Sequence, residues 1–346
     1  MSHVGLIVGA GNAGKAHAEA LGALGIQYFG PLSGVSMVAD PAPLRDPAVD
    51  VVHIATANDL HLPLVREALR AGKHVICEKP LAADVAQAEA LADLARSVGT
   101  LTTVCQNYRF LPFIGELAAR VAAGDLGAVH LARGWFLQDW LLLVGDEDWR
   151  MDPLRGGLSR AIADIGVHWL DLVELATGQT VTSVVAQLGY LYGRKTEDHA
   201  GLLARFDGGL QGVCVLSQAT AGHRGDFELS LDGTAASATW RAERHDELWI
   251  GTRDRPPLVV SHGDLRARGA RAMQSSPSLA AASAGRRNLL EAFYDALDGA
   301  QPAVPLATFE DGLRHVRFAA AAVMSDRSRE WVDVASVKGA DAVLER

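Results

Sequence analysis

Val4-Gly5-Leu6-Ile7-Val8 runs without a break into Gly9-Ala10-Gly11-Asn12-Ala13-Gly14, and Ala13 to Leu24 follows as an alanine-rich stretch with helical spacing. A short, wholly apolar run reads as a strand buried on both faces, the type used in parallel sheets. The glycines match G-x-G-x-x-G between that strand and the helix. The first permits a tight turn, the second lets a pyrophosphate approach the backbone, and the third allows close helix–strand packing. The helix start offers free N–H groups and a partial positive charge to phosphates. Gly9, Gly11, Asn12, Ala13 and Gly14 are therefore candidate dinucleotide-binding residues.

Working outward, further apolar strands are expected at Val51 to Ala55, His74 to Cys77 and Leu101 to Cys105, separated by helical patterns at Leu60 to Ala71 and Asp84 to Val98. Strands alternating with helices of this length predict right-handed crossovers and an α/β, doubly wound parallel sheet of the Rossmann type. Asp84 stands as an N-cap with Gln87 at capping-box spacing. The second strand has two readings. Val38-Ala39-Asp40 would end in an acid, but Asp40 to Asp50 is too short for a helix and another strand. The preferred reading is Ile26 to Phe29, with Gly30 to Gly34 as the loop that meets an adenine ribose. That loop offers Ser33 and no carboxylate, so NAD and NADP both stay open, with NAD the preferred cofactor. Asp40 is then a turn or cap residue.

After Leu117 the pattern changes. Residues 129–137, 181–192, 200–206, 210–217, 227–231 and 235–240 are strand-like, and Asp207-Gly208-Gly209 is a hairpin signal. Closely spaced strands predict an α+β region with an open, mainly antiparallel sheet, one face packed and the other free for solvent or a second subunit. A helix over Ala163 to Thr177 is stopped by Gly178. Residues 265–286, rich in Ala, Ser, Arg and Gly, are expected to be a loop; helices near 287–299 and 308–325 and a strand at Trp331 to Val334 close the chain. The expected division is residues 1–117 for the dinucleotide and 118–346 for substrate binding and oligomerisation.

Composition bounds the function. The 346 residues are too many for one ordinary core, and 49% are hydrophobic, enough to fill two. A net charge of −9 argues against a nucleic-acid surface, which needs clustered Lys and Arg. No apolar run reaches the ~18 residues of a membrane span. Cys77, Cys105 and Cys214 are too few for a disulfide framework or a zinc site. Met1 to Val8 carries no signal pattern, so a cytoplasmic protein is expected.

Glu78-Lys79-Pro80 follows the strand His74 to Cys77, which puts Lys79 at the carboxyl edge of a parallel sheet, where ligands bind. Asp164 and His168, four apart in a helical stretch, share a face. A histidine suits proton removal from a hydroxyl at neutral pH, and a carboxylate can orient it. A metal could use the same spacing, but no third ligand stands nearby, so none is expected.

These motifs together resemble the glucose–fructose oxidoreductase / inositol dehydrogenase family (Gfo/Idh/MocA) over nearly the whole chain. The matching stretches are the glycine turn with His17, Val49 to Thr56, Asn58 to His61, Ala71 to Pro80, Asn107 to Phe110, Asp164 to His168 and Thr308 to Leu313. The resemblance implies a catalytic Lys79, Asp164 and His168, contacts to the nicotinamide half of the cofactor from Ala55, Thr56, Ala57, Asn58, His61, Glu78 and Lys79, and dimers or tetramers built through the second sheet. Ala57 stands where the family often has proline, and the region between Leu24 and Asp50 is shortened. Around the substrate, Lys79, Arg109, Gln138, Trp149, Arg150, Asp164 and His168 are the expected contacts; aromatic faces beside hydrogen-bonding groups suit a sugar or cyclic polyol. The expected reaction is hydride transfer between nicotinamide and a secondary hydroxyl, with His168 as base and Lys79 beside the reacting oxygen. The rivals are an NAD-dependent glycosidase of related fold and a non-catalytic sugar or dinucleotide sensor.

Overall fold

The computed structural model describes residues 3–266, Met273 and residues 280–339. The first part of the chain builds β1 (Val4–Val8), α1 (Asn12–Leu24), β2 (Gln27–Leu32), α2 (Gly34–Ala39), β3 (Val51–Ile54), α3 (His61–Arg70), β4 (His74–Cys77), α4 (Val85–Ser97) and β5 (Thr102–Val104). The five strands form one parallel sheet in the order β2-β1-β3-β4-β5. The strand order reverses between β1 and β3, and the crevice outside their carboxyl ends is where such sheets bind ligands. β1, β3 and β4 are short apolar runs because both faces are covered, and their residues are almost all buried.

The preferred placing of the second strand holds, with β2 paired to β1 from Val4–Gln27 onward. Gly30 to Leu32 continue the strand, however, and Gly34 begins α2, so of the expected loop only Ser33 stands between them, as the cap of α2. Val38 and Ala39 lie in the short helix α2, and Asp40 ends it while its carboxylate accepts the Ala42 N–H at 3.1 Å. Asp84 caps α4 through the Gln87 N–H at 2.8 Å.

α5 (Pro112–Ala122) leads into β6 (Val129–Gln138), α6 (Pro153–Gly156), a π turn at Ile162–Gly166, α7 (Val167–Thr177), β7 (Val181–Gly189), β8 (His199–Phe206), β9 (Gln211–Ser217), β10 (Arg224–Gly233), β11 (Ser237–Arg241), β12 (Leu248–Gly251) and β13 (Leu258–Val260). α8 (Ala281–Leu297), α9 (Phe309–Ser328) and β14 (Val332–Asp333) end the described chain. The second sheet has nine strands in the order β13-β12-β11-β10-β6-β9-β8-β7-β14. It is antiparallel except that β6 and β9 run parallel at its centre. Along β8, Ala200, Leu202, Ala204 and Phe206 are buried and alternate with exposed residues, so one face packs and the other is open.

Three expectations need correction. Residues 281–286 are not loop but the first turns of α8, an alanine-rich segment with Ala281 and Ala284 buried; residues 267–272 and 274–279 lie outside the described residues. β7 stops at Gly189 and not at 192, because its ladder with β8 ends at the Gly189–His199 pair and the Leu191 N–H donates to the Asp198 carboxylate instead; Tyr192 and Gly193, with positive φ angles of 55° and 68°, then turn the chain. β12 and β13, too short to stand out as apolar runs, extend the sheet beyond β11.

α8 returns to the first sheet. Phe293 and Leu289 join Ile7, Leu21, Val51 and Ile76 in a core between that sheet and α1. The opposite face continues through α4 and α9 into the core of the second sheet. α7 is anchored on that sheet by Trp169, which is fully buried across Gly134 of β6 and Gly212 of β9; a Cβ at Gly212 would come within 2.7 Å of the indole. Trp169→Ala is expected to cost about 3–5 kcal/mol, and Gly212→Val about 1–3 kcal/mol through overpacking. Urea unfolding checks both, and an unchanged midpoint would contradict this packing.

Candidate active site

The glycine turn does three different things. Gly9 has φ +124°, and a Cβ there would lie 2.0 Å from the Ala55 carbonyl oxygen, so the turns after β1 and β3 touch backbone to backbone. Gly14 passes so close to the Gly9 carbonyl that a Cβ would sit 1.7 Å from its oxygen. Gly11 is different: its φ is −79° and nothing lies within 4 Å of its Cβ position. That open space lies at the N-terminus of α1, where no side chain caps the amides and no acid stands in the first turn. An uncapped helix start behind a cleared space fits a pyrophosphate.

The turn opens into a cleft of about 440 Å³. Gly9, Gly11, Asn12, Ala13 and Ser33 line one side of it, with Ala55, Thr56 and Ala57 from the turn after β3. Trp149 and Arg150, expected at the substrate, line this same cleft. The Trp149 ring carries the Arg150 guanidinium 4.5 Å from its centre. Asn58 and His61 are not free to reach into the cleft. The Asn58 amide donates to the Gly156 carbonyl at 2.9 Å, which holds α6 against the first sheet. His61 is buried with its nitrogens facing the carbonyls of Thr56 and Pro80, tying two turns of the sheet edge together.

Lys79 projects from the end of β4 and meets the π turn. Its Nζ donates to the Asp164 carbonyl at 2.7 Å and to Asp164 Oδ1 at 2.6 Å. Turns of this width recur at functional sites. Asp164 Oδ2 accepts from Gln218 Nε2 at 2.7 Å, and Arg150 Nε stands 3.4 Å from Oδ1. Burial opposes the charge of Asp164, but Lys79 and Arg150 outweigh it and hold the carboxyl well below its usual range. No hydrogen bond joins Asp164 to His168; the carboxylate bears on the ring only by favouring its charged form, which burial and Lys79 outweigh.

His168, in the first turn of α7, is 5% exposed and packs edge-on against Tyr108, with ring centres 4.9 Å apart. Its Nδ1 is buried without a partner. Burial, followed by the charge of Lys79, drives its pKa well below 6.5, so at neutral pH the imidazole is uncharged. Burial pushes the Tyr108 phenol up to about 12, which keeps that wall neutral as well.

Arg109 does not join this group. Its guanidinium is buried on Asp171, with Nε–Oδ2 at 2.7 Å and Nη2–Oδ1 at 2.6 Å, and serves to fasten α7. Gln138 does come near: its Oε1 accepts from Trp140 Nε1 at 2.7 Å and faces Gln218 Nε2 at 3.4 Å. Gln218 has no motif around it. The parallel pairing of β6 with β9, Leu137 opposite Ser217, brings Gln138 and Gln218 to one sheet edge. Arg286, which faces Glu78 at 3.4 Å, was hidden in the segment read as loop.

Two family profiles match this chain. One, described as "Oxidoreductase family, NAD-binding Rossmann fold", covers residues 32–106. The other, "GFO/IDH/MocA C-terminal domain", covers residues 114–239, and the two together span more than half of the chain. The chain belongs to the Gfo/Idh/MocA family. Levoglucosan dehydrogenase of Pseudarthrobacter phenanthrenivorans is 26% identical over 97% of this chain and 98% of its own length. Among solved structures, a levoglucosan dehydrogenase in complex with NADH and levoglucosan superposes with a TM-score of 0.82 at 25% identity, covering 96% of this chain and 99% of that one. An inositol dehydrogenase homolog from Azotobacter vinelandii, complexed with NAD+, has a TM-score of 0.84 at 23% identity over 96% and 97% of the two chains, a likeness of fold. As in other Gfo/Idh/MocA proteins, the parallel sheet is an NAD-binding Rossmann fold.

The glycines separate folding from binding. Gly11→Ala is expected to change stability by less than about 1 kcal/mol, and to weaken dinucleotide binding about tenfold or more because its methyl enters the phosphate space. Gly14→Ala collides with backbone and is expected to unfold or strongly destabilise the chain. Calorimetric titration of NADH and NADPH alongside thermal melting checks the contrast; undiminished binding by Gly11→Ala would contradict it.

Proposed function

We propose that this protein is an NAD(P)-dependent dehydrogenase acting on a secondary hydroxyl of a sugar, a sugar derivative or a cyclic polyol. The observation that carries the reading is the Lys79–Asp164 pair in one site with an uncharged His168 whose Nδ1 has no hydrogen-bond partner, next to the cleft at the glycine turn. The bound nicotinamide supplies the hydride acceptor or donor. His168 takes the hydroxyl proton in the oxidising direction and returns it in the other. The Lys79 ammonium hydrogen-bonds the same oxygen and favours its developing negative charge. Asp164 holds Lys79 in place, and Gln218 and Arg150 fix the carboxylate. Gln138, Trp140 and Gln218 form a polar and aromatic wall suited to a hydroxylated ring. The names of the relatives, levoglucosan and inositol dehydrogenases, support the same class. Residues 1–117 hold the dinucleotide in this reading, and residues 118–346 hold the substrate. NAD is taken first and NADP second; Ser33 after β2 offers a hydroxyl, and the loop has no carboxylate to repel a 2′-phosphate.

Oxidation of sugars and cyclic polyols, followed as NADH or NADPH absorbance in parallel, is expected to find turnover with at least one. Release of a free sugar without net reduced cofactor would instead favour a glycosidase, and an inert protein a sensor. With the substrate in hand, His168→Ala is expected to lower kcat by ~10²–10⁴-fold while cofactor binding persists. The base works only when uncharged, and its pKa is depressed, so activity is present above that pKa and lost as pH falls through it. The acid limb of kcat/KM is therefore expected below pH 6.5. A limb above pH 7, or unchanged turnover in His168→Ala, would contradict the assignment.

A homo-oligomer forms, in this reading, through the open face of the second sheet, where Leu203, Val213 and Val215 are exposed at 46%, 39% and 51%. Val215→Glu is expected to give a 36.7 kDa monomer in light scattering. A wild-type protein that is already monomeric would contradict it.

A further inference from the structure

Beneath the carboxyl edge of the first sheet lies a row of buried polar groups that the reaction above does not use. Tyr294 of α8 meets His53 of β3, with its oxygen 2.9 Å from Nε2. His53 Nδ1 lies 2.9 Å from His17 Nδ1 of α1. His17 Nε2 lies 3.2 Å from Glu78 Oε1, directly before Lys79. Both histidines are 0% exposed. The row is a built feature. Gly5 of β1 leaves the space for its far end: a Cβ there would sit 2.8 Å from the Tyr294 oxygen and 3.5 Å from His53 Nε2.

The protons in this row can be placed by elimination. Burial opposes the Glu78 charge, but the His17 hydrogen bond and the Arg286 guanidinium outweigh it and hold the carboxyl well below its usual range. Burial keeps His17 and His53 uncharged and Tyr294 protonated. An ionised Glu78 only accepts, so His17 donates from Nε2 and presents a bare Nδ1. His53 must then donate from Nδ1 and present a bare Nε2, to which the Tyr294 hydroxyl donates. Every hydrogen bond points from Tyr294 to Glu78. His17 Nε2, Glu78 Oε1 and Cys105 Sγ also lie within 4.8 Å of one another, but Arg286 already supplies positive charge there, and burial holds the Cys105 thiol protonated.

We propose that Tyr294, His53, His17 and Glu78 form a proton relay joining the edge of the sheet at Lys79 to the protein surface beside His3. The His3 ring stands 6.4 Å from that of Tyr294 and is partly exposed. Inward, a solvent proton binds the Tyr294 oxygen as the hydroxyl proton passes to His53 Nε2. The His53 Nδ1 proton passes to His17 Nδ1, and the His17 Nε2 proton to Glu78 Oε1. Glu78 gains one proton, the other three groups end as neutral as they began, and the reverse shift returns the proton to water. The link to turnover rests on the dehydrogenase reading, since reducing a carbonyl to a hydroxyl consumes one proton that must come from solvent, the direction in which the resting hydrogen bonds point. The relay itself does not.

The test needs neither cofactor nor substrate. In protein with ¹⁵N-labelled histidine at neutral pH, NMR is expected to find His17 protonated on Nε2 and His53 on Nδ1. Tyr294→Phe keeps the ring and removes the hydroxyl; although it leaves His53 Nε2 without a donor and so lowers stability, the folded variant is expected to slow solvent exchange of both imidazole protons by about tenfold or more. Gly5→Ala, which displaces the hydroxyl, is expected to do the same. Exchange within twofold of wild type in the folded variants, or His53 protonated on Nε2 in the wild type, would overturn the relay. A protein that oxidises no sugar would leave this result standing, so the two readings fail separately.

Discussion

The ion pair between Lys79 and Asp164 joins the two halves of this molecule where its chemistry is placed. Lys79 belongs to the parallel sheet, being the second residue past β4; Asp164 belongs to the layer above the second sheet, in the π turn that opens α7. At 2.6 Å, and with both side chains largely withdrawn from water, the pair is favourable only because further groups complete it. Gln218 and Arg150 take up the remaining carboxylate capacity. Remove either partner and a charge is left in a place that cannot solvate it. Much of the surrounding structure keeps these two residues facing one another: Trp169 anchors α7 to its sheet, Arg109 fastens it through Asp171, and Asn58 holds α6 down on the first sheet.

The same pair sets the electrostatics of its neighbour. A lysine close to His168, in a site already dry, makes the imidazole a base that is always uncharged at neutral pH. Asp164 stays ionised in that site for the complementary reason. One pocket thus holds an ionised carboxylate beside an uncharged imidazole, the pairing that the proposed division between proton acceptor and charge stabiliser draws on. The dinucleotide cleft, by contrast, relies on geometry. Gly9 and Gly14 bring backbone against backbone, Gly11 leaves an opening, and the uncapped amides of a helix start face that opening, where they suit phosphates. A chain with a net charge of −9 can hold an anionic cofactor in this way without a basic surface.

The first sheet was largely legible in the sequence because its signals are local: short apolar runs, a glycine turn, and a capping aspartate at Asp84. What escaped is non-local. Gln218 depends on the parallel pairing of β9 with β6, and the run of short strands, which suggested a mainly antiparallel sheet, gave no sign of which pair would be parallel. Arg109 sat in a family-like motif, yet its environment is decided by Asp171, 62 residues away. The start of α8 misled by composition. Its Ala, Ser and Gly residues look like loop, but they are small because α8 crosses the chain closely: a Cβ at Gly285 would lie 2.3 Å from the Asn107 carbonyl oxygen. Nothing local ties His17 to His53; Tyr294, arriving from α8, completes their hydrogen bonding.

The central claim is that Lys79 and Asp164 act as one unit across the two sheets. A double-mutant cycle on single-turnover hydride transfer tests it most directly, using Lys79→Met, Asp164→Asn and the pair, with reduced cofactor followed by absorbance. Each single change is predicted to slow transfer by about a hundredfold or more, and the double change to be little worse than the more damaging single one. Losses that multiply in the double variant would mean that the residues work independently, and would contradict the account.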